Sequence, residues 1–211
     1  MSGELPVVDA AALGEPIRGG PVVGVLLAAG ASERFGGRNK LLAEVEGEPL
    51  VRRAARTLTG SRLDGVVAVL GHEADRVGAA LEGLDLETVA NPDFERGQAT
   101  SLGVGTRAAR EAGAAAACYA LGDMPWVDPA SVDALVAAYL ADAGDPLAAA
   151  FEGRRGNPTL FDARHFGALE DVEGDLGGRE ILLADDLARL VETGDPGVVR
   201  DVDEPGDLPD G

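Results

Sequence analysis

Residues 27–42, LAAGASERFGGRNKLL, bring together the residue types that handle phosphate. Gly30, Gly36 and Gly37 permit backbone conformations and close approaches that a side chain would block. A run of exposed backbone N–H groups can cradle phosphate oxygens. Arg34 can fork onto two such oxygens, and Lys40 adds a compact charge on a flexible stem. The spacing therefore predicts a triphosphate site. The competing reading is a flexible turn with ordinary surface cations. The segment is not a Walker loop, because Gly30 to Lys40 does not fit G-x-x-x-x-G-K-[ST]. Residues 30–34 also lack the last glycine of a nucleophile elbow.

A second segment is residues 121–125, LGDMP. Asp123 is placed where a carboxylate can hold Mg²⁺ against a nucleotide's phosphates. Taken alone, an Asp here reads better as the cap of the helix starting near Pro129. Gly103-x-Gly105-x-x-Ala108 matches a relaxed dinucleotide fingerprint, but it falls inside an expected helix and is set aside. His72 and His165 are far apart and lack metal-ligand spacing, so they read as surface or packing residues.

The elements that must position these groups follow from apolar runs and their punctuation. Residues 22–28 (VVGVLLA) form a short apolar run bounded by Pro21 and Gly30, which fits a strand buried on both faces. Strands are expected at 63–70, 86–90 and 115–121, with helices at 49–58, 73–81, 100–112 and 129–140. Strand and helix alternating on short links predicts an α/β fold with a doubly wound, mostly parallel sheet. Beyond about residue 145 the pattern loosens. Short strands are expected at 147–151 and 158–161, joined by a polar turn over 152–157. Helices follow near 163–169 and 178–185, with a last strand at 198–202. Residues 1–20 read as a loose N-terminal arm, and residues 21–208 as one domain.

The chain has 211 residues, 18 basic and 37 acidic, for a net charge of −19. Such a surface repels nucleic-acid phosphates and anionic lipids, which argues against either as a partner. Cys118 is the only cysteine, so no internal disulfide forms and a reducing compartment is expected. No secretory signal or membrane-spanning run is legible, and the expected location is the cytoplasm. All basic residues but Lys40 are arginine. GC-rich coding accounts for that bias, and the acid excess suggests a salt-adapted, halophilic source. A lysine that survives such a bias stands out.

Taken together, the two segments resemble the nucleotidyltransferases of the molybdenum cofactor, most closely the cytidylyltransferases. LAAGxSxRxGxxKLL and LGDMP are both present, in that order. Asn91-Pro92 followed by residues 97–102 (GQATSL), the turn at 156–158 (GNP), residues 174–179 (GDLGGR) and residues 201–208 (DVDEPGDL) resemble further family segments. The resemblance covers about residues 22–208. Glu204 departs from the usual threonine, and Asn157 is not the commonest residue in its turn.

The resemblance implies a Rossmann-like nucleotidyltransferase fold and a Mg²⁺-dependent reaction. The terminal phosphate of molybdopterin attacks the α-phosphorus of CTP, and pyrophosphate leaves. Asp123 would hold the metal, with Asp203 either a second ligand or part of a C-terminal Asx turn. Lys40 would stabilise charge on the transferred phosphate, and Arg34 would hold the pyrophosphate end. Ala28, Ala29 and Gly30 would offer backbone contacts to the nucleotide, with Gly97 and Ser101 near base and ribose. Ala29 and Ser32 match the cytidyl form of the loop, so CTP is expected over GTP. Transient contact with a molybdoenzyme or its chaperone is also implied. The alternatives are a guanylyl- or sugar-1-phosphate nucleotidyltransferase and, more distantly, a non-catalytic nucleotide- or cofactor-binding protein.

Overall fold

The apolar runs punctuated by glycine and proline become strands flanked by helices on both sides. The computed structural model describes residues 5–32, 35–172 and 178–208. The strands are β1 (Val7–Asp9), β2 (Val22–Ala28), β3 (Glu44–Val45), β4 (Glu48–Pro49), β5 (Gly65–Leu70), β6 (Glu87–Ala90), β7 (Ala116–Leu121), β8 (Leu147–Phe151), β9 (Arg154–Asp162) and β10 (Arg189–Glu192). The helices are α1 (Leu50–Thr59), α2 (Ala74–Leu81), α3 (Gln98–Glu111), α4 (Pro129–Leu140), α5 (Phe166–Glu170) and α6 (Arg179–Ala184). Eight strands form one sheet in the order β1-β10-β8-β9-β7-β2-β5-β6, while β3 and β4 make a separate hairpin. Only β9 runs antiparallel to its sheet neighbours, β7 and β8. The fold is the expected α/β type with a mostly parallel sheet.

The sheet carries one core on each face. Val51, Ala54 and Leu58 of α1, Val77 of α2 and Leu135 of α4 pack on one side. Leu102 of α3, Phe166 and Leu169 of α5 and Leu182 of α6 pack on the other. The glycines of the discarded dinucleotide pattern serve that second layer. A Cβ on Gly105 would stand 2.4 Å from Val25 Cγ1, and one on Gly103 would stand 3.3 Å from the Glu170 carbonyl oxygen. They let α3 lie close to the sheet and to α5. β7 is rich in alanine, a helix former, yet lies between β2 and β9 with almost every residue buried. Close packing at the sheet centre overrides local propensity here.

Three expectations need correction. The stretch read as a loose arm supplies β1, paired in parallel with β10. Arg18 is tied down too, bonded through Nε to Asp142 at 2.6 Å and lying over the Tyr139 ring. The polar turn expected over 152–157 shrinks to Glu152 and Gly153, both at positive φ, as two-residue hairpins require. The strand expected at 198–202 is a short 3-10 turn, Pro196–Val199, followed by extended chain. The edge-proximal strand is β10 instead. Its two apolar residues, Leu190 and Val191, bury on opposite faces between β1 and β8, and four residues flanked by charge carry too little pattern to be seen in sequence.

Candidate active site

β2 and β7 are neighbours in register, with Leu27 opposite Leu121. Whatever follows each strand therefore emerges side by side at the carboxyl edge of the sheet, the usual ligand edge of such folds. The Gly122 N–H donates to the Leu27 carbonyl at 3.0 Å and fixes that neighbourhood.

The loop after β2 begins with Ala28 and Ala29, both buried. The Ala29 carbonyl accepts from the His72 N–H at 3.1 Å, while Gly30 is exposed. Ser32 has φ +57°, and Gly36 and Gly37 have φ +68° and +78°, so this turn uses the left-handed freedom that glycine supplies. Phe35 anchors the loop by packing with Val45, Leu50 and Val202. Asn39 is buried and caps the turn Lys40–Leu42, its Oδ1 accepting from the Leu41 N–H at 3.1 Å. Its Nδ2 reaches the His72 carbonyl at 3.4 Å. Asn39 thus aims Lys40, a role the sequence reading missed. The signal was an Asn standing directly before a helical turn. Arg34 lies outside the described residues, as do residues 174–177 of the GDLGGR segment.

Lys40, Asp123 and Asp203 come together. Lys40 Nζ lies 2.7 Å from Asp123 Oδ2 and 3.0 Å from Asp203 Oδ1. Burial works against the ammonium charge, but the Asp123 and Asp203 carboxylates outweigh it and hold the Lys40 pKa above its ordinary value. Nearby Asp201, a residue without a role in the sequence reading, has its carboxyl pushed up by desolvation and by the charges of Asp203 and Asp123.

Asp203 reaches this point through a closely fastened segment. The Val202 N–H donates to the Asp123 carbonyl at 3.0 Å. Arg200 lies over the Trp126 ring, 3.5 Å from its centroid. Gly197 sits against the Trp126 carbonyl and Gly156 against the Val198 carbonyl, so closely that added Cβ atoms would stand 2.2 and 1.9 Å away. The helix-capping role that competed for Asp123 is filled by another residue. Asp128 caps α4 by accepting from the Ala130 N–H at 2.8 Å. Asp207 makes the C-terminal turn, its Oδ2 accepting from the N–H groups of Asp203 and Glu204.

The carboxylates suit a hard divalent cation. Asp123 Oδ1 is buried with no hydrogen-bond partner. Among the described residues no group of three or more His, Cys, Asp or Glu is placed to hold a metal ion by itself. Mg²⁺ is commonly held in just this open way, by one or two carboxylates with phosphate oxygens and water completing the shell.

On the far side of β2, Gly97 opens α3 at φ +112°. Ser101 is only 5% exposed and accepts from Asn91 Nδ2 at 2.9 Å. The same Nδ2 reaches Thr100 Oγ1, and Asn91 Oδ1 accepts from the Asp93 N–H. Asn91 and Ser101 therefore brace the start of α3, leaving the backbone around Gly97 at the surface. His72 is half-buried beside Phe94, and buried His165 lies 3.2 Å from buried Asp145 on a different part of the molecule. No helix among the described residues is long and apolar enough to cross a membrane.

Comparison with known proteins places this geometry among relatives. The family described as MobA-like NTP transferase domain matches residues 24–190. The purine catabolism protein PucB of Bacillus subtilis is 32% identical over 87% of this chain and 92% of its own length. A nicotine blue oxidoreductase of Paenarthrobacter nicotinovorans is 33% identical over 86% and 92%. A probable molybdenum cofactor guanylyltransferase of Natronomonas pharaonis is 34% identical over 52% and 53%. Among solved structures, Rv0371c of Mycobacterium tuberculosis superposes with a TM-score of 0.77 at 26% identity, covering 89% of this chain and 95% of that one.

Proposed function

Because the chain belongs to the MobA-like NTP transferase domain family, we propose that it transfers a nucleotidyl group from an NTP to an anionic acceptor, with release of pyrophosphate. The observation that carries this reading is Lys40 held between Asp123 and Asp203 beside a glycine loop at the carboxyl edge. Such a transfer needs positioning and charge neutralisation more than covalent help. Lys40 swings from its carboxylate partners to the phosphates, where a preorganised cation offsets the charge that develops. Backbone groups from Ala28 to Ser32 hold the triphosphate, with Arg34 at its pyrophosphate end, and the backbone at Gly97 lies toward base and ribose. Asp123 and Asp203 would hold Mg²⁺, which when bound neutralises phosphate charge and polarises the reacting phosphate. The acceptor oxygen forms its bond to the α-phosphorus as the bridge to the β-phosphate breaks, and the electron pair leaves on pyrophosphate.

Among the finer readings, guanylyl or sugar-1-phosphate transfer has better support than CMP transfer to molybdopterin. The one relative described above whose name states a nucleotide is a guanylyltransferase. CTP is favoured by the loop sequence Ala28-Ala29-Gly30-Ala31-Ser32. A delivery protein without catalysis is less well supported, because Lys40 and both carboxylates are assembled.

The test incubates the full chain with Mg²⁺, each of the four NTPs, and either molybdopterin or a sugar 1-phosphate. Pyrophosphate is followed and the product identified by mass. A nucleotidyl adduct with any pair supports the proposal. Absence of pyrophosphate and adduct with every pair overturns it.

A further inference from the structure

The Lys40 ammonium stands between one oxygen of each carboxylate, 2.7 Å from Asp123 Oδ2 and 3.0 Å from Asp203 Oδ1. A point within reach of both oxygens is where any cation is drawn, and the ammonium occupies it. The side chains of Lys40 and Asp123 are only 16% and 19% exposed, so little water screens the charges there.

The ammonium satisfies this place incompletely. One positive charge faces two carboxylates, and the buried Asp123 Oδ1 has no hydrogen-bond partner. A divalent cation would neutralise both carboxylates, but it cannot share the position with the ammonium. A single and a double positive charge a few ångströms apart in a partly buried site repel too strongly. Occupation by one excludes the other.

The local structure lets the ammonium leave without disturbing the fold. Buried Asn39 caps the Lys40–Leu42 turn and buried Leu41 anchors it, so the backbone is fixed. What can move is the flexible four-carbon stem of lysine. Every other basic residue of the chain is arginine. A guanidinium here would fork onto the carboxylates and, being weakly hydrated, would hold them more firmly. A compact, well-hydrated ammonium is easier to displace.

We propose that Lys40 is a built-in competitor of the divalent cation: its ammonium holds the position between Asp123 and Asp203 and yields it when metal and triphosphate arrive together. The metal takes the carboxylates and the phosphates take the ammonium, so each makes room for the other. This rests on the nucleotidyl-transfer reading and adds how that site is regulated. A divalent cation alone must displace an ammonium that nothing receives, so it binds weakly. Because linkage is reciprocal, the NTP binds more tightly once the metal has released Lys40.

The test uses the full chain without nucleotide. Mn²⁺ is the probe, and the free ion is counted by electron paramagnetic resonance. Lys40→Ala should bind Mn²⁺ about tenfold or more tightly than wild type. Lys40→Arg, which keeps the charge, should bind it no more tightly than wild type. An alanine variant no tighter than wild type, or an arginine variant as tight as the alanine one, overturns the proposal. Because Lys40 is the only lysine, its Nζ gives the one lysine ammonium signal of protein labelled with ¹⁵N and ¹³C. Couplings across the hydrogen bonds from Nζ to carboxylate carbons should be present at first and vanish as Mg²⁺ is added. Couplings missing at the start, or surviving saturation with Mg²⁺, overturn the competition, because tighter binding by Lys40→Ala would then reflect repulsion at a distance. Finally, Mg²⁺ should tighten the binding of a non-hydrolysable NTP, measured by calorimetry, about tenfold more in wild type than in Lys40→Ala. An equal gain in both proteins overturns the coupling. A wild type that exchanges its ammonium for Mg²⁺ but binds no NTP overturns the transfer reading and leaves the competition standing. One that binds NTP while Nζ ignores Mg²⁺ overturns the competition alone.

Discussion

At the scale of single residues, the proposed site turns on one ammonium and two carboxylates. Lys40→Ala should cut kcat by on the order of 10²-fold, as losing a preorganised donor does, with near-normal folding. Turnover close to wild type would show that Lys40 only balances Asp123 and Asp203. Asp123→Asn keeps shape but removes the charge a hard cation prefers. The Mg²⁺ concentration for half-activity should rise steeply, and an unchanged metal dependence would remove Asp123 from the metal site. Cys118 offers a control of another kind. It is fully buried in β7, and burial pushes its thiol up to about 12. A thiol reagent at pH 8 should label it only when the sheet opens, so the labelling rate should follow global unfolding in urea. Rapid labelling of the native protein would mean that β7 opens locally.

At the scale of elements, two clamps can be tested separately. Gly105→Ala drives a methyl into Val25 beneath α3. It should cost about 1–3 kcal/mol of stability in urea titration, as overpacking commonly does, while leaving Mg²⁺ dependence alone. Gly156→Ala drives a methyl into the Val198 carbonyl. It should unseat the segment that carries Asp203, so activity and metal affinity should fall more than stability does. Equal behaviour of the two variants would show that the C-terminal segment is held some other way. The strands and helices that could be read in sequence were those with long apolar runs and clear punctuation. α4 is one such element, with Asp128 and Pro129 at its start, and β2 is another. Lys40 and Asp123 were legible because each follows a central strand within a recognisable segment. Asn39 and Asn91 were not read as braces, since a buried amide shows its role only through partners such as the His72 carbonyl and Ser101. β10 was missed because its four residues, only two of them apolar, carry too little pattern to stand out between charged neighbours.

At the scale of the whole molecule, a net charge of −19 means self-repulsion that salt screens. Tm should rise between ~0.1 M and ~2 M KCl, where the Debye length shrinks to a few ångströms. A flat or falling Tm would argue against salt adaptation. The pairing of Lys40 with Asp203, 163 positions apart, has a consequence for the order in which the protein comes into being. Loop-closure entropy must be overcome before contacts of such separation form. Local helices and the β2–β5 pairing can therefore assemble while the two halves of the site are still apart. In a refolding experiment, the far-ultraviolet dichroism should recover ahead of catalysis, with activity regained only when these two distant stretches of chain meet.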